Sequence, residues 1–170
     1  MDTVSEDKMA IAMYRSGGMA VLHRYNTIAE QAAMAKNVTQ VSNWSGQVAA
    51  AIGVTGDFME RSEALIAAGV DVLCIDVAHG HHAKVRYALE ALRNSIGDRV
   101  HIMAGNVATL EAFNELADWG ADSIRVGIGG GSICSTRIQT GHGMPTLQSV
   151  MDCAQSDRDA TLIADGGIRT

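Results

Sequence analysis

Six short apolar runs, each followed by a polar or glycine turn and then by a segment of helical pattern, constrain this chain more than any other feature. The runs cover residues 19–22, 48–52, 70–75, 100–104, 122–126 and 161–164. Runs this short, apolar almost throughout and bounded by turn residues, read as strands buried on both faces. Helical segments are predicted over 8–15, from Thr27 to about Lys36, over 57–68, 110–119 and 148–154. A further helix carries Val85, Ala88, Leu89 and Leu92 at 3.6-residue spacing. Thr3 with Glu6 and Thr27 with Glu30 have capping-box spacing, and Gly17-Gly18, Gly69 and Gly120 stand where helices stop. Gly69-Val70-Asp71 and Gly120-Ala121-Asp122 open two strands in the same way. Alternating strands and helices of this kind imply a parallel sheet with right-handed crossovers.

A closed barrel and an open doubly wound sheet both satisfy that pattern, and the polar residues discriminate between them. His23, Asp76, His79, Asn106, Cys134 and Asp165 each follow the C-terminal end of a strand. A (β/α)8 barrel gathers such positions on one face, whereas an open sheet uses mainly one switch point. Polar residues after at least five strands favour the α/β TIM barrel. Such a barrel needs eight strands and about 250 residues. Six strands, with Met1-Asp2-Thr3-Val4 as the tail of another, are therefore expected to be part of one. On this reading residues 1–170 form a single, incomplete catalytic barrel domain, lacking part of the first strand and everything after the seventh.

The most distinctive stretch is VGIGGGSICSTRIQTGHG, from Val126 to Gly143. Glycine tolerates positive φ and close backbone approach, and successive free N–H groups can cradle an anion. A thiol at Cys134, among such donors, is a candidate nucleophile, with an inert buried cysteine as the alternative. Aromatic residues make up only 4% of the chain, so aliphatic side chains and Met must fill its core. A net charge of −6 without any run of Lys or Arg argues against a nucleic-acid surface. Three widely spaced cysteines suggest neither disulfides nor a zinc site, and a reducing, cytoplasmic setting is expected. No apolar run is long enough for a membrane span.

Five motifs, in order, resemble the IMP dehydrogenase / GMP reductase family. They are Met1 to Val4, Asp76-Val77-Ala78-His79-Gly80-His81, Ala104-Gly105-Asn106-Val107, Val126 to Arg137, and Ala164-Asp165-Gly166-Gly167-Ile168. The resemblance implies that Cys134 attacks C2 of a bound purine nucleotide and that Thr136 helps place the reacting water or leaving group. In a dehydrogenase, hydride then passes from C2 to NAD, and water releases XMP from a covalent thioimidate. The resemblance further matches Ser132, Gly166 and Gly167 to phosphate contacts, Asp165 to the ribose hydroxyls and Asn106 to a place beside the purine. Asp76, Asn106 and Gly127 fall on the cofactor side. Carbonyls of Gly129, Gly131 and Cys134 match a monovalent-cation site, usually potassium. A homotetramer acting on IMP, XMP or GMP in purine (GMP) biosynthesis is the implied assembly and role.

Within the family, Arg137-Ile138-Gln139-Thr140-Gly141, His79-Gly80-His81 and Ala164 to Arg169 lean towards the dehydrogenase, while Ile75-Asp76-Val77-Ala78 is closer to the NADPH-dependent reductase. The regulatory CBS insertion is expected to be absent, since only residues 37–47 join the second helix to the next strand. Gly130 stands where proline or serine is common, and residues 141–146 depart from the usual valine and glutamine. Simpler roles compete: Asp76 as a helix cap, Asn106 as a turn residue, His23 and Arg24 as structural groups, Cys74 and Cys153 as inert packing. A metal-dependent hydrolase on His79, His81 and His82, and a non-catalytic remnant of a barrel, are the alternatives from other classes.

Overall fold

Six parallel strands stand in one sheet in the order in which they occur along the chain. A computed structural model describes residues 2–41 and 45–168. Its elements are α1 (Asp7–Arg15), β1 (Val21–Leu22), α2 (Ile28–Thr39), β2 (Ala49–Ile52), α3 (Phe58–Ala67), β3 (Val72–Asp76) and α4 (Ala83–Ile96). There follow β4 (His101–Val107), α5 (Leu110–Asp118), β5 (Ser123–Val126), α6 (Thr136–Thr140), α7 (Thr146–Cys153) and β6 (Thr161–Ala164). A doubly wound sheet would reverse its strand order at a switch point. No reversal occurs among these strands, so the fold is a TIM-barrel wall rather than an open nucleotide-binding sheet.

Side chains alternate across the strands and so sort into two layers. Leu22, Ala50, Ile52, Leu73, Ile75, Ile102, Ala104 and Ile124 point outward and pack with Leu65, Leu89, Leu92, Phe113 and Leu116 of the helices. Ala49, Val72, Cys74 and Met103 form a separate cluster with Val21 and Ile163, to which strands alone contribute. Small and medium aliphatic groups on this face are what the interior of a barrel accommodates. By the same alternation Asp76, Arg125 and Asp165 point inward, near the C-terminal ends of their strands.

Some local expectations hold and others do not. Thr27 and Glu30 form the predicted capping box at the start of α2. Thr3 and Glu6 do not, because α1 begins at Asp7, with Glu6 itself at the N-cap. Residues 2–4 are turns, not the tail of a strand, although Ser5 O accepts the His23 N–H at the end of β1 (3.1 Å). Met1 and Arg169, which belong to the expected motifs, lie outside the described residues.

Candidate functional site

β3, β4, β5 and β6 end side by side, and their last residues build one polar cluster. Asp76 pairs in register with Gly105, Gly105 with Arg125, and Arg125 with Ile163. Gly105 has φ of +155°, and a Cβ there would stand 2.8 Å from that of Arg125. The missing side chain lets Arg125 reach across β4, where its Nη2 donates to Asp76 Oδ1 at 2.6 Å. Asn106, one residue on, donates from Nδ2 to the Gly127 carbonyl at 2.8 Å and to Asp165 Oδ2.

The glycine loop closes over this cluster. Gly129 has φ of +79° and lies against Arg137; a Cβ on it would sit 2.7 Å from Arg137 Cγ. Gly167, from the turn after β6, comes so near that a Cβ would lie 2.3 Å from the Gly130 carbonyl. Gly130 leaves room for the buried Thr146, whose hydroxyl would stand 1.9 Å from an added Cβ. Between these loops and the strand ends lies a cavity of about 300 Å³. Asp76, Asn106, Gly127, Gly129, Gly131, Cys134, Thr136, Asp165 and Gly166 all line it, whereas Ser132 and Gly167 do not.

Cys134 is half-buried at this cavity. The Thr136 hydroxyl and then the Thr136 main chain hold its thiol below the usual value, with smaller help from Arg137 and the Gly129 main chain. Hydrogen bonds to sulfur favour the charged form and so raise the thiolate fraction at neutral pH. Cys74 and Cys153 behave oppositely, for burial pushes each thiol up to about 11. Burial and a raised pKa are what the packing role expected of them requires.

The competing roles are resolved one by one. Asp76 does not cap α4, because His82 does so, accepting from the Lys84 N–H at 3.0 Å. Asn106 lies within β4 rather than in a turn. His23 is buried, and its Nδ1 accepts the Tyr25 N–H at 3.1 Å, while Arg24 donates to the Asp76 carbonyl at 3.2 Å. Among the described residues no group of three or more His, Cys, Asp or Glu is arranged to hold a metal ion. His81 instead meets Glu115.

Arg125 was missed in the sequence, yet it had a signal. A lone cation in an otherwise apolar, buried strand needs a charged partner, though which carboxylate it meets is fixed only by the register of the sheet. Thr146 had none, since nothing local distinguishes it from any helix-starting threonine.

A family model described as "IMP dehydrogenase / GMP reductase domain" matches residues 1–170. The chain is 46% identical over 125 residues to an inosine-5'-monophosphate dehydrogenase of Nitrosopumilus maritimus, covering 72% of this chain and 26% of that protein. It is 49% identical over 126 residues to a GMP reductase of Leishmania major, with 72% and 26% covered. A crystal structure of inosine 5'-monophosphate dehydrogenase from Legionella pneumophila superposes with a TM-score of 0.88 at 46% identity, covering 100% of this chain and 50% of that one. The chain thus spans about a quarter of the length of the curated relatives it matches.

Proposed function

This chain belongs to the IMP dehydrogenase / GMP reductase family, and from that premise we propose that it carries the nucleophile for NAD-dependent oxidation of IMP to XMP. One observation carries the reading: the only cysteine with a lowered pKa opens on the same cavity as Asp76, Asn106 and Asp165. A soft thiolate can add to an electron-poor ring carbon and later leave it. Cys134 Sγ bonds to C2 of the purine, and after hydride has left C2 the resulting thioimidate is hydrolysed. The sum is IMP, NAD+ and water giving XMP, NADH and a proton.

The chain's own groups divide the work. Thr136 stabilises the thiolate before attack and stands beside the sulfur where water must arrive. Asp165, at the end of β6, accepts from the ribose hydroxyls, and Asn106 fixes that carboxylate by its hydrogen bond. Ser132 and the main chain of Gly166-Gly167 bind the phosphate as neutral donors. Ser132 lies off the cavity wall, so this role requires the loop to swing towards the nucleotide. On the other side Asp76, Gly127 and Asn106 form the cofactor half. NAD+ there would supply the hydride acceptor, and the half-exposed Asp76 carboxylate suits the hydroxyls of its ribose.

The carbonyls of Gly129, Gly131 and Cys134 fit a potassium ion, for main-chain oxygens can replace its hydration shell. Gly131 O accepts the Cys134 N–H at 3.2 Å, which turns the loop at the cysteine. Bound there, the cation would neutralise carbonyl charge and stiffen the cysteine loop. The assembly is proposed to be a homotetramer without CBS modules, working in the cytoplasm.

A second reading, NADPH-dependent reduction of GMP to IMP and ammonia, rests on the presence of a GMP reductase of Leishmania major among the chain's relatives. Incubation of the purified protein with IMP and NAD+, and separately with GMP and NADPH, decides between them. NADH growth with XMP is the expected result; NADPH loss with ammonia selects the reductase. Silence in both assays overturns the enzymatic reading.

A further inference from the structure

The β3–α4 loop, residues 77–82, forms one wall of the cavity at Cys134, and it is fixed at two points. At the first, the Gly80 N–H donates to the Asn106 carbonyl at 2.9 Å, and a Cβ on Gly80 would lie 2.8 Å from that oxygen. At the second, His81 Nε2 meets Glu115 Oε2 of α5 at 2.8 Å. His81 also stacks on Trp119, with ring centroids 5.8 Å apart and 28° between planes. The Arg86 guanidinium lies 5.9 Å from the same indole. On the inner side, the His79 ring stands edge-on to His81 at 6.4 Å. His79 and Ala78 then line a mostly apolar cavity of about 580 Å³ with Ile128, Thr136 and Met144. Ala78, Ile128 and Thr136 also border the cavity at Cys134.

We propose that His81 and Glu115 are a positioning pair: without touching a ligand, they set where Ala78 and His79 stand against Thr136, and so shape the cofactor half of the site. Stability alone does not explain the pair. His81 is 32% and Glu115 45% exposed at the side chain, and ion pairs so exposed contribute little to folding. What they do is couple an outer helix to a loop whose inner face borders both cavities. The glycine contact at Asn106 fixes the loop's height above β4, His82 joins it to the first turn of α4, and the His81–Glu115 contact ties its outer arm sideways to α5.

The inference rests on the proposed function for its kinetic readout but not for its structural one. Glu115→Ala and Glu115→Gln variants of the protein are compared with wild type by amide hydrogen exchange over residues 76–84 and by steady-state kinetics with IMP and NAD+, or with GMP and NADPH if that pair is turned over. Glu115→Ala is expected to speed exchange at Gly80 and His82. It should also raise KM for the dinucleotide about fivefold, with kcat and the nucleotide KM within about twofold, since small misplacements of a binding wall are costly. Glu115→Gln retains an acceptor for His81 and should stay near wild type. Unchanged exchange in Glu115→Ala overturns the proposal, as does a Gln variant no better than Ala. So does a change confined to kcat or shared equally by both KM values. If the wild-type protein turns over neither substrate pair, the proposed function falls, and the exchange comparison alone decides the positioning pair.

Discussion

Replacing Thr136 by valine keeps the shape of the side chain and removes the hydroxyl that does most to lower the Cys134 pKa. The sign is fixed by which form is charged: a lowered thiol pKa means more thiolate at a given pH, and losing the donor moves the titration upward. Alkylation by iodoacetamide should therefore have its midpoint below the ordinary cysteine value of about 8.5 in the wild type and closer to it in Thr136→Val. Cys74 and Cys153 stay silent across this range, being buried with thiols pushed up to about 11. Equal midpoints in the two proteins would remove Thr136 from the site. A second residue-scale test concerns Gly130, whose φ is not in the left-handed region and whose Cβ would meet only Thr146 at short range. Gly130→Ala alone should displace the cysteine loop and lower kcat at least tenfold, as misplacement of a reacting group does. Adding Thr146→Ala removes the hydroxyl in the way and should recover most of the loss. A double variant as poor as the single one would mean that glycine is needed there for its backbone instead.

At the scale of elements, local rules held where nothing competed with them. Thr27 and Glu30 satisfy each other at the start of α2, with Thr27 N donating to Glu30 Oε2 at 2.9 Å and Glu30 N to Thr27 Oγ1 at 3.2 Å. Thr27→Ala should cost about 1 kcal/mol in urea denaturation with an unchanged slope; a loss below a few tenths would show the box to be ornamental. The same spacing at Thr3 and Glu6 yields no box, because the chain there turns to place Ser5 beside β1. The α6 helix escaped the sequence because five residues are too few to display a period. The strand ends fared better, since an apolar run stopping at a polar residue is a local signal. What could not be seen was register: nothing in the residues says that Gly105 lies between Asp76 and Arg125.

In barrels the two ends of the sheet divide the labour, chemistry at the strand C-termini and stability at the N-termini, and the proposed function assigns this chain's ends in the same way. At the N-terminal end Asp122 ties three elements together. Its Oδ2 accepts from Arg93 of α4 and from the Ile102 N–H of β4 at 2.6 Å, just before β5 begins. At the other end Arg125 and Asp76 make an ion pair of similar geometry at 2.6 Å, but it faces the cavity at Cys134. Removing the first takes the acceptor from Arg93 Nη2 and from the Ile102 N–H, while the guanidinium keeps the Gly97, Val100 and Gly120 carbonyls; two lost hydrogen bonds cost about 2 kcal/mol. Asp122→Ala should therefore lower stability by about that amount while kcat and KM stay within twofold at temperatures where the protein is folded. Arg125→Met should do the reverse. An apolar side chain of similar length suits the interior, and the Asp76 carboxylate it abandons is 42% exposed and still hydrated, so stability should change by less than about 1 kcal/mol. Activity should fall, because under the proposed function Asp76 loses the partner that aims it at the cofactor. Urea denaturation and steady-state kinetics on both variants read the two quantities separately. Arg125→Met unfolding while Asp122→Ala loses turnover would invert the assignment of the two ends, and with it the placement of the site at the strand C-termini.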